Sequence, residues 1–169
     1  EEKLDNGPVC NIHKIKLYKN DNSQDISEKL SQLASEKILD DLDMILDGKS
    51  KFLKQDHSKA TYAKKILKSE GLINWSDSAD NILGKINGLF PVPGAYFLFE
   101  GIRYKILKAE IGNGRGQIGE VISDHLEIVC GKNQSIKILE IQREGKKVQK
   151  IDEFKLGSLI QKGSIILNA

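Results

Sequence analysis

The sequence predicts two architectures in series, an α/β beginning and a β-rich end with one helix, joined by a basic linker. Three observations predict them. Apolar residues recur at steps of three and four only over residues 26–46 and 79–89, β-branched alternating runs crowd into residues 95–168, and a Lys-rich stretch without a clean period lies between residues 50 and 71. At 169 residues and 39% hydrophobic, the chain is long enough for one ordinary domain, or for one small domain and part of another.

Each element has a local cause. In "PVCNIHKIKLY" (8–18), Val9, Ile12, Ile15 and Leu17 are apolar, and the closing alternation with Lys14 and Lys16 predicts a strand with one solvated face. "KNDNSQD" is rich in turn formers. Asp25 and Glu28 form a D-x-x-E capping pattern, so a helix is expected to follow, with Ile26, Leu30, Leu33, Ala34, Ile38, Leu42, Ile45 and Leu46 on one stripe and Gly48 at its end. One strand and one helix make a single α/β unit, and a parallel sheet needs more strands than that. Residues 50–71 predict a linker with one short ordered turn around Tyr62 to Leu67. A second helix is predicted from Ser78 to Phe90, with Ala79, Ile82, Leu83, Ile86 and Leu89 on one side, a Ser76 or Ser78 cap, and "FPVPG" as its stop. After Gly94 the runs "AYFLFEGIRYKILKAEI", "GEVISDHLEIVCG", "SIKILEIQREGKKV" and "SIIL" are broken by glycine-containing turns. About five strands and a helix suit a small OB-like barrel.

Composition narrows the function classes. The net charge of +2 hides an asymmetry: residues 1–50 hold 7 Lys/Arg against 11 Asp/Glu, leaving 19 against 13 for the remainder. The basic part is the part to suspect of meeting a polyanion. No apolar run approaches the roughly 18 residues of a membrane span, and "EEKLDNG" is unlike a signal peptide, so a soluble, cytoplasmic protein is expected. Cys10 and Cys130 sit in apolar runs outside any C-x-x-C pair, which predicts two buried thiols. His13, His57 and His125 have no partners at ligand spacing, and no metal is predicted.

Three features carry candidate chemistry. "GRGQIG" matches a dinucleotide fingerprint at Gly114, Gly116 and Gly119, yet the β-branched "EVISDHLEIVC" that follows predicts a strand, so the stretch reads as an inter-strand loop in which Arg115 can touch phosphate. Asn11 and His13, two apart, resemble half of an oxyanion and proton-transfer site, but most such pairs are ordinary strand residues. The basic residues form three groups: Lys59, Lys64, Lys65 and Lys68; Arg103, Lys105 and Lys108; and Lys146, Lys147 and Lys150. Any one group reads as a solvated face. Three of them in a net-positive segment favour RNA or another polyanion, bound through counterion release more than through base contacts.

The stretch "QDHSKATYAKKI" (55–66), followed in order by "INW" (73–75), "INGLFPVPGAYF" (86–97), "YKILKAE" (104–110), "VCGKNQSIKILEIQREGKK" (129–147) and "DEF" (152–154), resembles the C-terminal part of the methionyl-tRNA formyltransferase family. The resemblance runs essentially from residue 1 to the end. It implies a Rossmann-like formyltransferase domain ending in residues 1–49, a basic linker over 50–71, and an OB-like tRNA-binding domain over 72–169. It further implies transfer of the formyl group of 10-formyltetrahydrofolate to the amino group of methionyl initiator tRNA, by a monomer with no metal and no DNA or membrane partner.

In that family the catalytic Asn and His lie in an "N-x-H-P-S" loop and the catalytic Asp in an "L-D-x-G" turn. "EKLDNGPV" matches the turn, which makes Asp5 the implied catalytic residue, and Asn11-Ile12-His13, followed by Lys14-Ile15, becomes a look-alike. The Asn-His loop is expected upstream of residue 1, so the chain alone is expected to bind tRNA without transferring formyl groups. Asn87 stands where the family usually has Arg, Asn74 where it often has Asp, and Arg115-Gly116 where it has Pro-Gly. Two alternatives remain: a formyltransferase acting on a sugar nucleotide or other small amine, and a stand-alone RNA-binding OB-like module.

Overall fold

The computed structural model describes residues 2 and 4–168; Glu1, Lys3 and Ala169, at the edges of the predicted segments 1–49 and 72–169, lie outside the described residues. The chain divides into two compact units, residues 1–65 and residues 66–169.

The first unit is organised by one long helix, α1 (Ser23–Leu46). Its cap is Asn22, whose side chain accepts from the Gln24 and Asp25 amides while the Asp25 carboxylate accepts from the Asn22 amide at 3.0 Å. The box is therefore Asn22-x-x-Asp25, one turn earlier than the predicted Asp25-x-x-Glu28, because an Asn cap with an acid three residues on satisfies the same orphan amides. Lys29 Nζ lies 2.6 Å from Asp21 and adds a clamp over the first turn. The helix ends at Asp47, followed by Gly48 at φ +68°, the left-handed geometry that glycine adopts without cost. No α1 residue is buried, and Leu30, Ile38, Leu42 and Ile45 are exposed along one stripe.

The strand predicted over residues 8–18 does not form. The segment is extended but irregular, and its one β-bridge joins Val9 to Leu53 through two backbone hydrogen bonds of 2.9 Å. Alternation prepares a segment for pairing, and a strand exists only where a partner ladder meets it. Here Asn11 and His13 bond to α1 instead. The turn expected around Tyr62 to Leu67 is likewise displaced. Short 3-10 turns occupy His57–Lys59 and Lys68–Gly71, each opened by an acceptor the periodicity did not weigh, Asp56 onto Ser58 and Glu70 onto Leu67.

The second unit holds the hydrophobic core. Helix α2 (Ala79–Gly88) is capped by Ser78 and buries Ala79, Ile82, Leu83 and Ile86, the i, i+3, i+4, i+7 face anticipated from the sequence. Beyond it the chain turns through two cis prolyl bonds, Phe90–Pro91 and Val92–Pro93. A five-stranded antiparallel sheet follows: β1 (Ala95–Phe99), β2 (Ile102–Gly112), β3 (Glu127–Cys130), β4 (Gln134–Arg143) and β5 (Gln149–Lys150). The order is β1-β2-β4-β3, with β5 also paired to β4. Of "GEVISDHLEIVCG" only β3 is regular strand, with single bridges at Glu120 and Val121, and "SIIL" contributes one bridge from Ile165 to Glu120. The polar Ser123-Asp124-His125 turn interrupts the run between them. A short helix α3 (Ile151–Phe154) follows β5 and runs into a 3-10 turn over Lys155–Gly157.

Inward residues of β2 and β4 (Tyr104, Ile106, Ile136, Ile138, Ile141) pack with Trp75, Phe97 and α2. An aromatic ladder runs through this core: Trp75 meets Phe97 edge-on at 5.9 Å, Phe97 stacks on Tyr104 at 5.4 Å, and Tyr104 meets Phe154 edge-on at 5.9 Å. A bulge between Ile106 and Ala109 twists β2 beside Lys108. No helix among the described residues is long and apolar enough to cross a membrane.

Candidate functional site

In the first unit, Asp5 sits in a tight turn with φ +57°, a left-handed conformation that costs a non-glycine residue roughly 1–2 kcal/mol. Such strain persists only where neighbouring structure fixes it. The fixing group is Gln55, whose Nε2 donates to the Asp5 carbonyl at 2.8 Å and to the Gly7 carbonyl at 2.7 Å. Beside this turn lies a cleft of about 650 Å³ lined by Asp5, Asn6, Gln55, Asp56, His57, Lys59, Thr61 and Tyr62. The Asp56 carboxylate accepts from the Ser58 hydroxyl at 2.6 Å and the Ser58 amide at 3.1 Å, which holds its pKa below the usual carboxylate range. Lys59 is 3.3 Å from the same group.

Asn11 and His13 converge on one carboxylate. Asn11 Nδ2 donates to Asp41 Oδ1 at 2.7 Å, and His13 Nε2 lies 2.8 Å from Asp41 Oδ2. These bonds, His13's first, hold the Asp41 carboxyl below its ordinary range. Both side chains thus meet the same α1 carboxylate, so the pair is a tether for the 8–18 segment. Sequence proximity foretold neither Asp41 nor the tether, since the partners lie 30 and 28 residues apart.

The predicted basic residues are dispersed. Lys64 is exposed on the irregular stretch of the first unit, as is Lys65, while Lys68 opens a 3-10 turn of the second. On β2, the Arg103 guanidinium lies 5.5 Å from the Tyr96 ring and 3.3 Å from Glu144. Lys105 folds its methylenes over Gly94 and directs Nζ to the Pro91 carbonyl at 3.5 Å, and Lys108 sits at the bulge opposite Glu140. These three therefore share a strand without sharing one unobstructed surface. Lys146 and Lys147 are brought together with Arg143 around a cleft of about 300 Å³ that Tyr104, Glu153 and Ser158 also line. Arg143 escaped the sequence reading. Its signal was the "REGKK" turn, which carries it back over the two lysines.

The "GRGQIG" loop is built for structure. The Gly114 amide donates to Glu127 Oε1 at 3.0 Å and to Ser135 Oγ at 2.9 Å, and Ser135 Oγ donates to the same carboxylate at 2.6 Å. Gly119, at φ +82°, exchanges bonds with Val129 and Ile166, and a Cβ there would strike the Ile166 carbonyl. With no helix after it, the loop lacks the amide cradle of a dinucleotide site. Arg115 is exposed at its tip.

Of the two cysteines, Cys130 is buried and its thiol is pushed up to about 11 by burial, whereas Cys10 is half-exposed, against the expectation that both are buried. Its run is irregular and lies outside the core, which explains the difference. Among the described residues no group of three or more His, Cys, Asp or Glu side chains is placed to hold a metal ion.

Comparison with known proteins gives a consistent picture. Residues 65–159 match the family described as formyl transferase, C-terminal domain. A methionyl-tRNA formyltransferase from Pelagibacter ubique (strain HTCC1062) is 60% identical over 167 residues, covering 99% of this chain and 54% of that protein. The chain spans about half the length of the curated relatives it matches. Among solved structures, HypX from Aquifex aeolicus in complex with tetrahydrofolic acid superimposes with a TM-score of 0.68 at 17% identity, over 90% of this chain and 28% of that one. An N-formyltransferase from Helicobacter canadensis, in complex with folinic acid and dTDP-3-aminofucose, gives 0.64 at 15% identity, over 82% and 52%. At those identities the likeness is one of fold.

Proposed function

Because the chain belongs to the formyl transferase family through its C-terminal domain, we propose that it is the C-terminal part of a methionyl-tRNA formyltransferase. The observation that carries this is the 60% identity to such an enzyme over 99% of the chain. The full-length protein would transfer the formyl group of 10-formyltetrahydrofolate, as substrate, to the amino group of methionyl initiator tRNA, in the cytoplasm and as a monomer.

Within it, residues 1–49 form the end of the catalytic domain, residues 50–71 the linker, and residues 72–169 the tRNA-binding domain. An OB-like barrel is supported for the last by the five-stranded antiparallel sheet, its β2 bulge and the edge bridges Leu72 to Tyr96 and Glu120 to Ile165. Attack of the methionyl nitrogen on the formyl carbon forms the new C–N bond and places charge on the formyl oxygen. Collapse breaks the bond to the folate nitrogen, and a proton passes overall from the amine to that nitrogen. Asp5 is assigned to this proton movement, directly or by orienting an imidazole. Its strained turn at the edge of a cleft supports the assignment. Lys59, Lys64, Lys65, Lys68, Arg103, Lys105, Lys108, Arg115, Lys146 and Lys147 supply the positive charge that meets tRNA phosphates.

The test is to supply the full-length protein with 10-formyltetrahydrofolate and charged initiator tRNA. Formylmethionyl-tRNA is expected. Transfer to an amino-sugar nucleotide in its place would overturn the proposal.

A further inference from the structure

We propose that Gln55 is the positioning residue for the Asp5 carboxylate, an inference that rests on the function proposed above. The Val9 to Leu53 bridge is antiparallel, so continuing its register two residues each way sets Gln55 opposite Gly7. From there one carboxamide brackets the turn, its two N–H groups reaching the carbonyls of Asp5 and Gly7 on either side of Asn6. Asp5 lies at φ +57°, and the orientation of its own carbonyl sets ψ. With both dihedrals held, the Cα–Cβ bond has one direction and the carboxylate one departure point. Gln55 is itself held between the Leu53 bridge and the Asp56 cap of the His57–Lys59 turn. The two acceptors are carbonyl oxygens, so only a donor serves; a carboxylate of the same shape would repel both. The clamp lies at the surface, where water satisfies the carbonyls if the amide is removed. Its loss therefore acts on the aim of Asp5 more than on folding.

The experiment compares Gln55→Glu, Gln55→Met and Asp5→Asn in the full-length protein by steady-state formyl transfer, tRNA affinity and thermal unfolding. Both Gln55 variants are expected to lose roughly 10- to 100-fold in kcat, the scale of a small misplacement of a reacting group, with KM, tRNA affinity and melting midpoint near the parent's. The ratio of Gln55→Glu to parent kcat is expected to recover as pH falls, because the introduced carboxyl becomes a donor when protonated. The other titratable groups lining the cleft, Asp5, Asp56, His57, Lys59 and Tyr62, are common to parent and variant and cancel in that ratio. An inactive parent, or a fully active Asp5→Asn, overturns the functional assignment and this inference with it. An active parent whose Asp5→Asn is dead while Gln55→Glu and Gln55→Met turn over normally overturns the inference alone. So does a kcat loss that appears only together with lost tRNA affinity and a lowered melting midpoint.

Discussion

Asp5 and Cys130 show how differently two side chains can be committed. Asp5 is exposed in a strained turn and is held by its backbone, so its carboxylate remains available. Replacing it by Asn preserves shape and removes the proton acceptor. In the full-length protein Asp5→Asn is expected to lower kcat by about 10²-fold or more, the usual worth of a proton-transfer group. Near-parent turnover would place the active site elsewhere. Cys130, by contrast, has burial against its ionisation and no route to reagent. At pH 8 only about 0.1% of a thiol with a pKa near 11 is thiolate. Native alkylation with a maleimide, read by mass spectrometry, is therefore expected to label Cys10 and spare Cys130 until the protein unfolds.

At the scale of elements, α1 depends on its ends more than on its faces. Asn22→Ala removes the acceptor for two amides and is expected to cost about 1 kcal/mol of helix stability, read as lost helicity by circular dichroism. Asp21 and Asp41, clamped by Lys29 and by His13 with Asn11, have lowered pKa values in the folded state. A lowered carboxylate pKa gives stability that is complete above the ordinary range near 4 and is lost as pH falls through the folded value. The contacts of Asn11 and His13 with Asp41 are thus expected to hold at pH 6 and to be lost as pH falls below about 4, read from the side-chain NMR shifts of Asn11 and His13.

Helices α1 and α2 were legible in the sequence because a 3.6-residue period and a capping side chain are both local. The strand over 8–18 was misread because alternation records readiness to pair, and whether a partner strand exists is decided elsewhere in the chain. The same limit hid other contacts: Asp5 is proposed from its motif alone, whereas Gln55, Asp41 and Arg143 meet their partners across 50, 30 and a turn's worth of residues. Their side-chain types carry no sign of whom they will meet.

For the whole molecule, charge and core are unevenly distributed. The excess of cations lies beyond residue 50, spread over exposed positions and over the Arg143, Lys146 and Lys147 cleft. If these meet tRNA at about five phosphates, log K for the chain is expected to fall by roughly 4–5 per tenfold rise in salt. A flat response in a filter-binding titration would remove the electrostatic interface. Among the described residues, every member of the hydrophobic core, from Ile73 to Ile166, lies in residues 66–169, and that segment alone is expected to unfold cooperatively with the midpoint of the chain's main transition in calorimetry.

The irregular stretch over residues 60–67 has a further consequence for handling. It is exposed, carries Lys64 and Lys65 with Lys59 and Lys68 at its borders, and contributes nothing to the core. A trypsin-like protease meets there a ready run of basic sites on backbone that needs no unfolding to enter its groove. Preparations of the chain should therefore shed their first unit on storage and leave a durable fragment starting near residue 66, and the intact mass of an aged sample becomes a direct record of where folded stability resides.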